Sequence, residues 1–361
     1  MPLFASTQSD FCTALALARP LAGCRILVAA QLGAGSTSWS RTKALGQLVG
    51  AVESVNMTPF IEGLGLWRQA LTNHLYAGAG VDGLNRLLLR QAAEFQPHIL
   101  WVDKGLHLRP STLEQIRGRN CTLLVHFSPD NQMVGANQSR HYLKSIPLYN
   151  VQVTTKPHNV DWLYEQGAAR VELVGKGFDP DLHRPVELNA HERTKYECDL
   201  GFVGHWEPSR EELLFCLWES GYRIRVWGGG WKRARRRTHP LFAGAVHLTG
   251  DEYAKALCGA KINLCLLSQW FGDRTTARSI EIPACGSFML AERTPEHEEL
   301  FREGIEAEFY GSRDEMRAKI DRYLLDERRR LEIGAAGRLR CLHSYSNAAR
   351  LKELFGRLEL D

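Results

Sequence analysis

The sequence predicts an α/β protein of two domains, each built on a parallel β-sheet with flanking helices. Three observations support this prediction. The chain has 361 residues, whereas one domain commonly holds roughly 100–200 residues. Strand-like and helix-like segments alternate in both halves, which is typical of parallel sheets with right-handed crossovers. A polar segment with two prolines, residues 177–195, separates the halves and is interpreted as a linker.

In the first half, short apolar runs predict buried parallel strands, and segments of helical periodicity lie between them. The predicted strands are 25–30, 99–102, 123–127, 151–154 and 171–174, and the predicted helices lie near 40–49 and 84–94. Asn159 is expected to cap a further short helix that runs through Gln166 and ends at Gly167. We predict a first domain over residues 1–186.

The second half repeats the alternation. Its predicted strands are 199–203, 223–227, 262–267, 288–291 and 307–310, and its predicted helices include 210–220, 251–259 and 314–325. Ser312 is expected to cap the last of these helices in a capping box with Glu315. We predict a second domain over residues 187–346 and a C-terminal helix over residues 347–361.

The composition is that of a soluble globular protein, with 44% hydrophobic and 24% charged residues. The net charge of +4 is too small to imply nucleic-acid binding by itself. The nine cysteines form no CxxC pair, which favours free thiols in a reducing compartment over disulfides or a zinc site. The apolar run at 11–18 has no basic flank before it and is too short for a membrane span. We therefore expect a cytoplasmic protein.

The most informative segment is residues 273–293, in which a polar run leads into a helix and then a short strand. Asp273, Arg274, Thr275 and Arg278 gather where the helix begins, and Glu281 follows within it. A helix N-terminus with unpaired N–H groups and arginines suits a phosphate, and a carboxylate suits a ribose. The alternative is a plain ion pair between Arg278 and Glu281, three residues apart.

A glycine loop after the first predicted strand is a second candidate site. Gly33 and Gly35 would let a ligand approach the backbone, and Glu53 lies about twenty residues on, as in a dinucleotide-binding fingerprint. The third glycine of that fingerprint is replaced by Ser38. A strand–helix turn without a cofactor is the alternative interpretation.

Two further strand ends carry polar or glycine residues. Asp130, or His126 just before it, is a candidate general base, and an Asx-turn or helix cap is the alternative for Asp130. In the second half, glycines and aromatic residues at two strand ends are candidates to cradle a diphosphate and stack on a base, with core packing as the alternative for each tryptophan. The residues concerned are Gly204, His205, Trp227 and Gly228.

A basic run follows these glycines and consists of Lys232, Arg233, Arg235, Arg236 and Arg237. A solvated loop is the simpler interpretation. The run is also able to attract an anionic acceptor or a membrane surface, so peripheral membrane contact is a second hypothesis.

Several motifs resemble those of the spore-maturation-type (CgeB-like) glycosyltransferases. The second half carries DLGFVGHWEPSRE at 199–211, RVWGGGW at 225–231, the segment at 274–312 and RLRCLHSYS at 338–346. The first half adds TTKPHNVDWL at 154–163 and GKGFDPDLHRPV at 175–186. The resemblance covers most of the chain and is strongest from Val151 onward.

This resemblance implies a GT-B fold, in which two Rossmann-like domains face each other across a cleft and the C-terminal helix crosses back to the first domain. It implies a nucleoside diphosphate sugar donor in the second domain, an unidentified acceptor (glycan, lipid-linked or protein) on the first, and no metal or other cofactor. In related retaining enzymes a Glu-x7-Glu pair contacts sugar and ribose. Glu281 takes the second position, and Asp273 takes the first with a shorter side chain.

The implied mechanism is glycosyl transfer. Arg274, Thr275 and the helix N-terminus would stabilise the departing diphosphate, Glu281 would hold the ribose, and Asp130 or His126 would act as base in an inverting reaction. Three alternatives remain open at this stage. They are an NAD-dependent oxidoreductase using Gly33 and Gly35, a non-catalytic sugar-nucleotide binder, and a sugar-nucleotide epimerase.

Overall fold

The structure is a computed structural model and describes residues 21–33, 36–62, 65, 72, 74–120 and 122–359. The chain divides into two units, each with its own core. Unit 1 comprises Met1–Gly175 and Asn347–Asp361, and unit 2 comprises Lys176–Ser346. Two wholly parallel sheets, one in each unit, confirm the predicted α/β class.

Unit 1 contains a six-stranded sheet in the order β2-β1-β3-β4-β5-β6. Its strands are β1 (Arg25–Ala30), β2 (Ala51–Asn56), β3 (Ile99–Asp103), β4 (Leu123–Ser128), β5 (Val151–Thr154) and β6 (Val171–Leu173). Its first helices are α1 (Thr37–Leu48), α2 (Thr58–Ile61), α3 (Ala79–Phe95), α4 (Pro110–Asn120), α5 (Arg140–Ser145) and α6 (His158–Glu165). The C-terminal helix, Asn347–Arg357, packs against α1 and inserts Phe355 against Trp101 of the sheet.

Unit 2 contains a five-stranded sheet in the order β11-β10-β9-β7-β8. Its strands are β7 (Cys198–Val203), β8 (Ile224–Trp227), β9 (Ala260–Cys265), β10 (Met289–Glu292) and β11 (Glu308–Tyr310). Its helices are α7 (Ala190–Tyr196), α8 (Pro208–Glu219), α9 (Pro240–Ala243), α10 (Gly250–Gly259), α11 (Arg278–Ala284), α12 (Pro295–Leu300), α13 (Arg313–Leu325) and α14 (Glu327–Ser344). The C-terminal helix of unit 1 is α15.

The apolar runs predicted strands well, and polar or short elements were predicted poorly. Strands 25–30 and 151–154 are confirmed to the residue. Strand β2 was missed because it is an edge strand whose residues are mostly exposed or half-buried. Helix α14 was missed altogether, and the segment predicted as a linker contains α7, whose N-terminus is closed by a capping box between Asn189 and Glu192.

Two predicted caps differ from the structure. Asn159 does not cap α6. It lies buried one residue inside the helix, and its side-chain amide donates to Thr154 Oγ1 and to the Asp130 carbonyl oxygen. Ser312 does cap α13 by accepting from the Glu315 N–H, but the Glu315 carboxylate accepts from the Gly311 N–H instead of completing the box. Within the described ranges, every helix is too short or too polar to cross a bilayer.

Candidate functional site

Two arginines meet at the carboxyl end of the unit 2 sheet. Arg210 comes from the first turn of α8, and Arg278 is the first residue of α11. Each donates through Nη2 to the carbonyl oxygen of Leu266, which follows β9, at 3.2 Å. Both guanidinium carbons also lie 5.7 Å from the centre of the Phe202 ring. We call this pair the arginine cluster.

Two positive charges meet in the arginine cluster, and among the described residues only Glu207 forms an ion pair with it. Arg210 is buried and forms an ion pair with Glu207 at 3.0 Å. Burial is the main cause that lowers its pKa, and the neighbouring Arg278 lowers it further. Within the described residues Arg278 has no carboxylate partner, and the Nε atoms of both arginines are buried without a hydrogen bond. The ion pair between Arg278 and Glu281, which was the alternative interpretation, is therefore not formed among the described residues, and the cluster suits an anion.

Glu281 is a buried carboxylate held from two sides. The Tyr253 hydroxyl on α10 donates to its Oε2 at 2.5 Å, and Nε2 of His183 lies 3.5 Å from its Oε1. Burial and the adjacent carboxylate raise the pKa of Tyr253 well above its usual value, so the phenol stays protonated and donates. Each carboxylate oxygen has two lone pairs and keeps capacity to accept a ligand hydroxyl. Sequence analysis identified Glu281 but neither of its two partners.

The N-terminus of α11 does not offer the free N–H groups that the sequence suggested. The Thr276 N–H donates to Ser279 Oγ at 2.9 Å, and the Arg278 N–H donates to Thr276 Oγ1 at 3.1 Å. Ser279 is fixed in turn by a 2.7 Å hydrogen bond to Nε2 of His297. Because the helix has only seven residues and its first N–H groups are engaged, the positive potential comes from the guanidinium groups instead.

The loop before α11 is held to its surroundings by its own polar residues. Lys176 donates from Nζ to the carbonyl oxygen of Thr275 at 3.1 Å and to its Oγ1 at 2.9 Å. Arg274 points to the surface, where it pairs with Glu296 at 2.9 Å, and so lies outside the arginine cluster. The Asp273 N–H donates to the Ser268 carbonyl oxygen at 3.1 Å.

The glycines after β7 and β8 pack on each other. The Gly204 N–H donates to the Trp227 carbonyl oxygen at 2.8 Å. At Gly228 φ is +131°, and a Cβ there would lie 2.0 Å from the Gly204 carbonyl oxygen, so only glycine fits. Trp227 is only 6% exposed and belongs to the core, which makes it unable to stack on a base and corrects that prediction.

His205 and two aromatic residues remain accessible near this edge of the sheet. The His205 carbonyl oxygen accepts from Nη1 of Arg210 at 3.0 Å. Partial burial, helped by His247, lowers the pKa of the His205 ring, which keeps it neutral at pH 7. Trp270, which is 56% exposed, and Phe271 follow β9, and Trp270 contacts Trp206 edge-on at 5.9 Å. Sequence analysis did not single out these exposed rings.

In unit 1, Asp130 follows β4 at the carboxyl end of the sheet. Its Oδ2 lies 2.6 Å from Nζ of Lys104, and both side chains are partly exposed. Lys104 follows β3 and adopts φ +64°, a left-handed conformation that is uncommon for a residue with a side chain. The Lys104 carbonyl oxygen is fixed at 3.0 Å from Nε2 of His126. An acidic and a basic group therefore stand side by side after two neighbouring strands.

His126 itself is a core residue, which corrects its prediction as a base. It is 1% exposed and stacks on Tyr142, with ring centres 4.7 Å apart, while Tyr149 lies 5.1 Å away. Burial lowers its pKa to about 4. A substrate does not reach a ring in this position, so its role is to hold Lys104.

The structure gives little support to dinucleotide binding in unit 1. The Gly33 carbonyl oxygen accepts a hydrogen bond from the Ser36 N–H at 3.0 Å just before α1, and Gly35 lies outside the described residues. Glu53 pairs with Leu27 in the middle of β2, three residues before that strand ends at Asn56. The fingerprint carboxylate belongs at the strand end. As for metals, the described ranges contain no cluster of three or more His, Cys, Asp or Glu side chains able to hold an ion.

A known protein family matches part of the chain. Residues 210–356, which include both arginines and Glu281, match the sequence model of a family described as glycosyl transferase-like. No curated protein matches the chain.

Solved structures show the same fold over nearly the whole chain. Sucrose-phosphate synthase from Thermosynechococcus elongatus is similar with a TM-score of 0.64 and 13% identity, over 93% of this chain and 99% of that one. The structure of Anabaena HepE in complex with UDP and glucose is similar with a TM-score of 0.60 and 12% identity. The match covers 93% of this chain and 99% of HepE. A putative UDP-N-acetylglucosamine 2-epimerase from Listeria monocytogenes is similar with a TM-score of 0.52 and 12% identity. The match covers 94% of this chain and 96% of the epimerase. These similarities confirm the predicted fold class, in which each of two units has a parallel α/β sheet of Rossmann-like type, as in GT-B structures.

Proposed function

We propose that the protein is a glycosyltransferase that moves a sugar from a nucleoside diphosphate sugar to an acceptor hydroxyl. The observation that carries this proposal is the arginine cluster, in which two guanidinium groups share one acceptor and Arg278 lies three residues before the buried carboxylate Glu281. Both features lie within the segment that matches the glycosyl transferase-like family. A diphosphate and a ribose are the ligand groups that these side chains bind.

In the proposed reaction the bond between the anomeric carbon and the diphosphate oxygen breaks, and a bond from that carbon to the acceptor oxygen forms. Arg210 and Arg278 stabilise the charge that develops on the departing diphosphate, which is the main electrostatic task of such a site. Glu281, oriented by Tyr253, accepts a hydrogen bond from a ribose hydroxyl. Lys176 positions the donor-side loop through Thr275.

The stereochemical outcome depends on which carboxylate acts. In an inverting reaction Asp130 accepts the proton of the acceptor hydroxyl. In a retaining reaction Asp273 contacts the transferred sugar, and the departing diphosphate takes that proton. We retain both carboxylates as proposals, together with membership of the CgeB-like group, whose motifs this chain resembles.

UDP is the first nucleotide to test, because HepE was solved with UDP and glucose. Trp270 and Phe271 are the exposed rings after β9 on which a base would stack, in place of the buried Trp227. Gly204, His205 and Gly228 remain proposed contributors through their backbone, since the His205 carbonyl oxygen already orients Arg210.

The proposal also includes contact of unit 2 with an anionic membrane through the basic run. Lys232, Arg233, Arg235 and Arg237 are exposed, and within the part of the chain that the structure describes they form no ion pair. Each such residue contributes about 1 kcal/mol near an anionic bilayer. Co-sedimentation with phosphatidylglycerol vesicles, compared with phosphatidylcholine vesicles, tests this. Equal binding to both, or binding unchanged by reversing two of the charges, would remove the membrane from the proposal.

We also propose a cytoplasmic location, because the seven described cysteines are all free thiols and five of them are buried in the core.

A donor panel tests the function. The protein is incubated with UDP-, GDP- and dTDP-sugars and a mixture of acceptor glycosides, and the anomeric configuration of the product is read by NMR. Transfer that is lost in Arg278→Ala supports the proposal. Isomerisation of the donor sugar without transfer favours an epimerase, whose fold is the same. Stabilisation by NAD and not by any nucleoside diphosphate would overturn the transferase proposal.

A further inference from the structure

Two cysteines lie together where α10 and α11 end. Cys258 is the penultimate residue of α10, and Cys285 directly follows α11. The Cys258 thiol donates to the Cys285 carbonyl oxygen at 3.7 Å and to the Arg184 carbonyl oxygen at 3.8 Å, and each of the two neighbouring thiols shifts the pKa of the other. The two residues are 27 positions apart in sequence, and the fold alone brings them into contact.

The surroundings of the Cys258 sulfur stabilise a thiolate. The neighbouring Cys285 thiol has the largest effect on the pKa of Cys258, and the Val186 N–H donates to the Cys258 sulfur at 3.4 Å. Arg184 adds a nearby positive charge. Together these groups outweigh burial and lower the pKa of Cys258 to about 7.

The two cysteines differ in access and acidity. Cys258 is half-buried, whereas Cys285 is buried and its pKa is raised by its neighbour and by burial. Reactivity with oxidants follows thiolate character and exposure, so Cys258 is the thiol that reacts first and Cys285 the one that follows. The buried Cys198 and Cys265 have raised pKa values and no partner of this kind.

We propose that Cys258 and Cys285 form a reversible disulfide when the protein meets a peroxide. The Cys258 thiolate attacks one peroxide oxygen, the O–O bond breaks, and a sulfenic acid forms with release of hydroxide. The Cys285 thiol then attacks the sulfenic sulfur, and water leaves. Overall the two thiols lose two electrons and two protons, and one hydrogen peroxide becomes two waters. A small-molecule dithiol restores both thiols by exchange.

The disulfide would act on the donor site, and this consequence rests on the proposed function. The same two helices already meet through Tyr253 and Glu281, and Cys285 is four residues beyond Glu281. A disulfide requires the two sulfurs to approach to about 2.05 Å. That movement displaces the end of α11 and weakens the hold on Glu281. We expect UDP affinity to fall about fivefold on oxidation, as for the loss of one hydrogen bond.

The test for the disulfide needs only the native chain. The protein is treated with a few equivalents of hydrogen peroxide, and its peptides are mapped by mass spectrometry without reduction. Alkylatable thiols in the denatured protein should fall from nine to seven, since one disulfide consumes two, and dithiothreitol should restore nine. In Cys285→Ser, dimedone should label Cys258 as a sulfenic acid.

Cys216→Ser is the matched control, because Cys216 is half-buried on α8 and lies outside this pair. It should leave the 258–285 disulfide unchanged. If peroxide yields no peptide linking the two residues, or oxidises Cys216 before Cys258, the redox proposal is wrong. If the disulfide forms and UDP affinity stays the same, the pair is confirmed and its coupling to the donor site is excluded. Failure of UDP to bind the reduced protein instead counts against the proposed function.

Discussion

Arg210 and Arg278 donate to a single acceptor, the carbonyl oxygen of Leu266, at 3.2 Å each. Two cations held on one neutral oxygen repel each other, and only Glu207 forms an ion pair with the cluster in the described part of the chain. A bound diphosphate would relieve this repulsion and pair with the unused Nε groups.

Replacing Arg278 with alanine should weaken UDP binding about tenfold to a hundredfold, because a hydrogen bond to a charged group contributes about 1.5–3 kcal/mol. The UDP affinity of Arg278→Lys should lie between those of the wild type and Arg278→Ala, because lysine keeps the positive charge but lacks the planar guanidinium fork. Isothermal titration calorimetry measures the affinity. Arg328→Ala is the control, because that side chain is 88% exposed on α14. Wild-type affinity in Arg278→Ala would remove the cluster from the donor site.

Tyr253→Phe should weaken UDP binding about fivefold, because Glu281 loses the hydrogen bond that orients it. Tyr222→Phe is a matched control. It removes an equally short hydrogen bond, 2.6 Å to Asp321, at the surface of the same unit. Both variants are titrated with UDP at the same ionic strength. An equal effect in the two variants would show that Tyr253 acts on general stability and not on the ligand.

Acidification should destabilise the protein through His126. Burial lowers its folded-state pKa from 6.5 to about 4, so between these values the unfolded chain binds a proton that the folded chain does not. Stability is therefore full above pH 6.5 and is lost as the pH falls toward 4. We expect the free energy of unfolding at pH 5 to be about 2 kcal/mol lower than at pH 7.5 from this residue.

Urea denaturation at both pH values measures this effect. His126→Asn should reduce the pH dependence, whatever its own cost at pH 7.5, and His191→Asn, at an exposed position on α7, should leave it unchanged. The same pH dependence in His126→Asn and wild type would contradict the assignment.

Glu211→Ala should lower the free energy of unfolding by about 2–3 kcal/mol, because it leaves donors without an acceptor. The buried Glu211 carboxylate accepts from Trp206 Nε1 and from the N–H groups of Arg235 and Arg236, and so anchors the basic run to α8. Those hydrogen bonds outweigh burial and keep the pKa of Glu211 below its usual value.

The neighbouring Glu212 is half-exposed and forms a surface ion pair with Arg236 and a long 3.9 Å contact with the Cys216 thiol, so Glu212→Ala should change stability by less than about 0.5 kcal/mol. Thermal and urea unfolding compare the two variants. Equal losses would mean that the Glu211 hydrogen bonds contribute nothing specific.

Sequence patterns alone were enough to predict most of both sheets. Apolar runs such as 25–30 and 151–154 became strands at those residues, because a buried parallel strand must be apolar on both faces. The two-domain α/β class and the importance of the segment around Arg278 and Glu281 also came from local pattern and resemblance. Edge strand β2 and helix α14 were not predicted, because their composition is too polar for hydrophobic periodicity to reveal them.

The candidate site depended on tertiary structure. Arg210 and Arg278 are 68 positions apart in sequence, and only the parallel order of β7 and β9 brings both to Leu266. Burial likewise excluded His126 as a base and Trp227 as a stacking platform. In the sequence, both stand near the end of a strand and cannot be told apart from an exposed residue at such a position. Sequence by itself determined which elements form and which residue types stand at their ends. Tertiary packing decided which of those side chains meet, which are buried, and therefore which can bind a ligand, because burial and long-range contacts are properties of the folded chain.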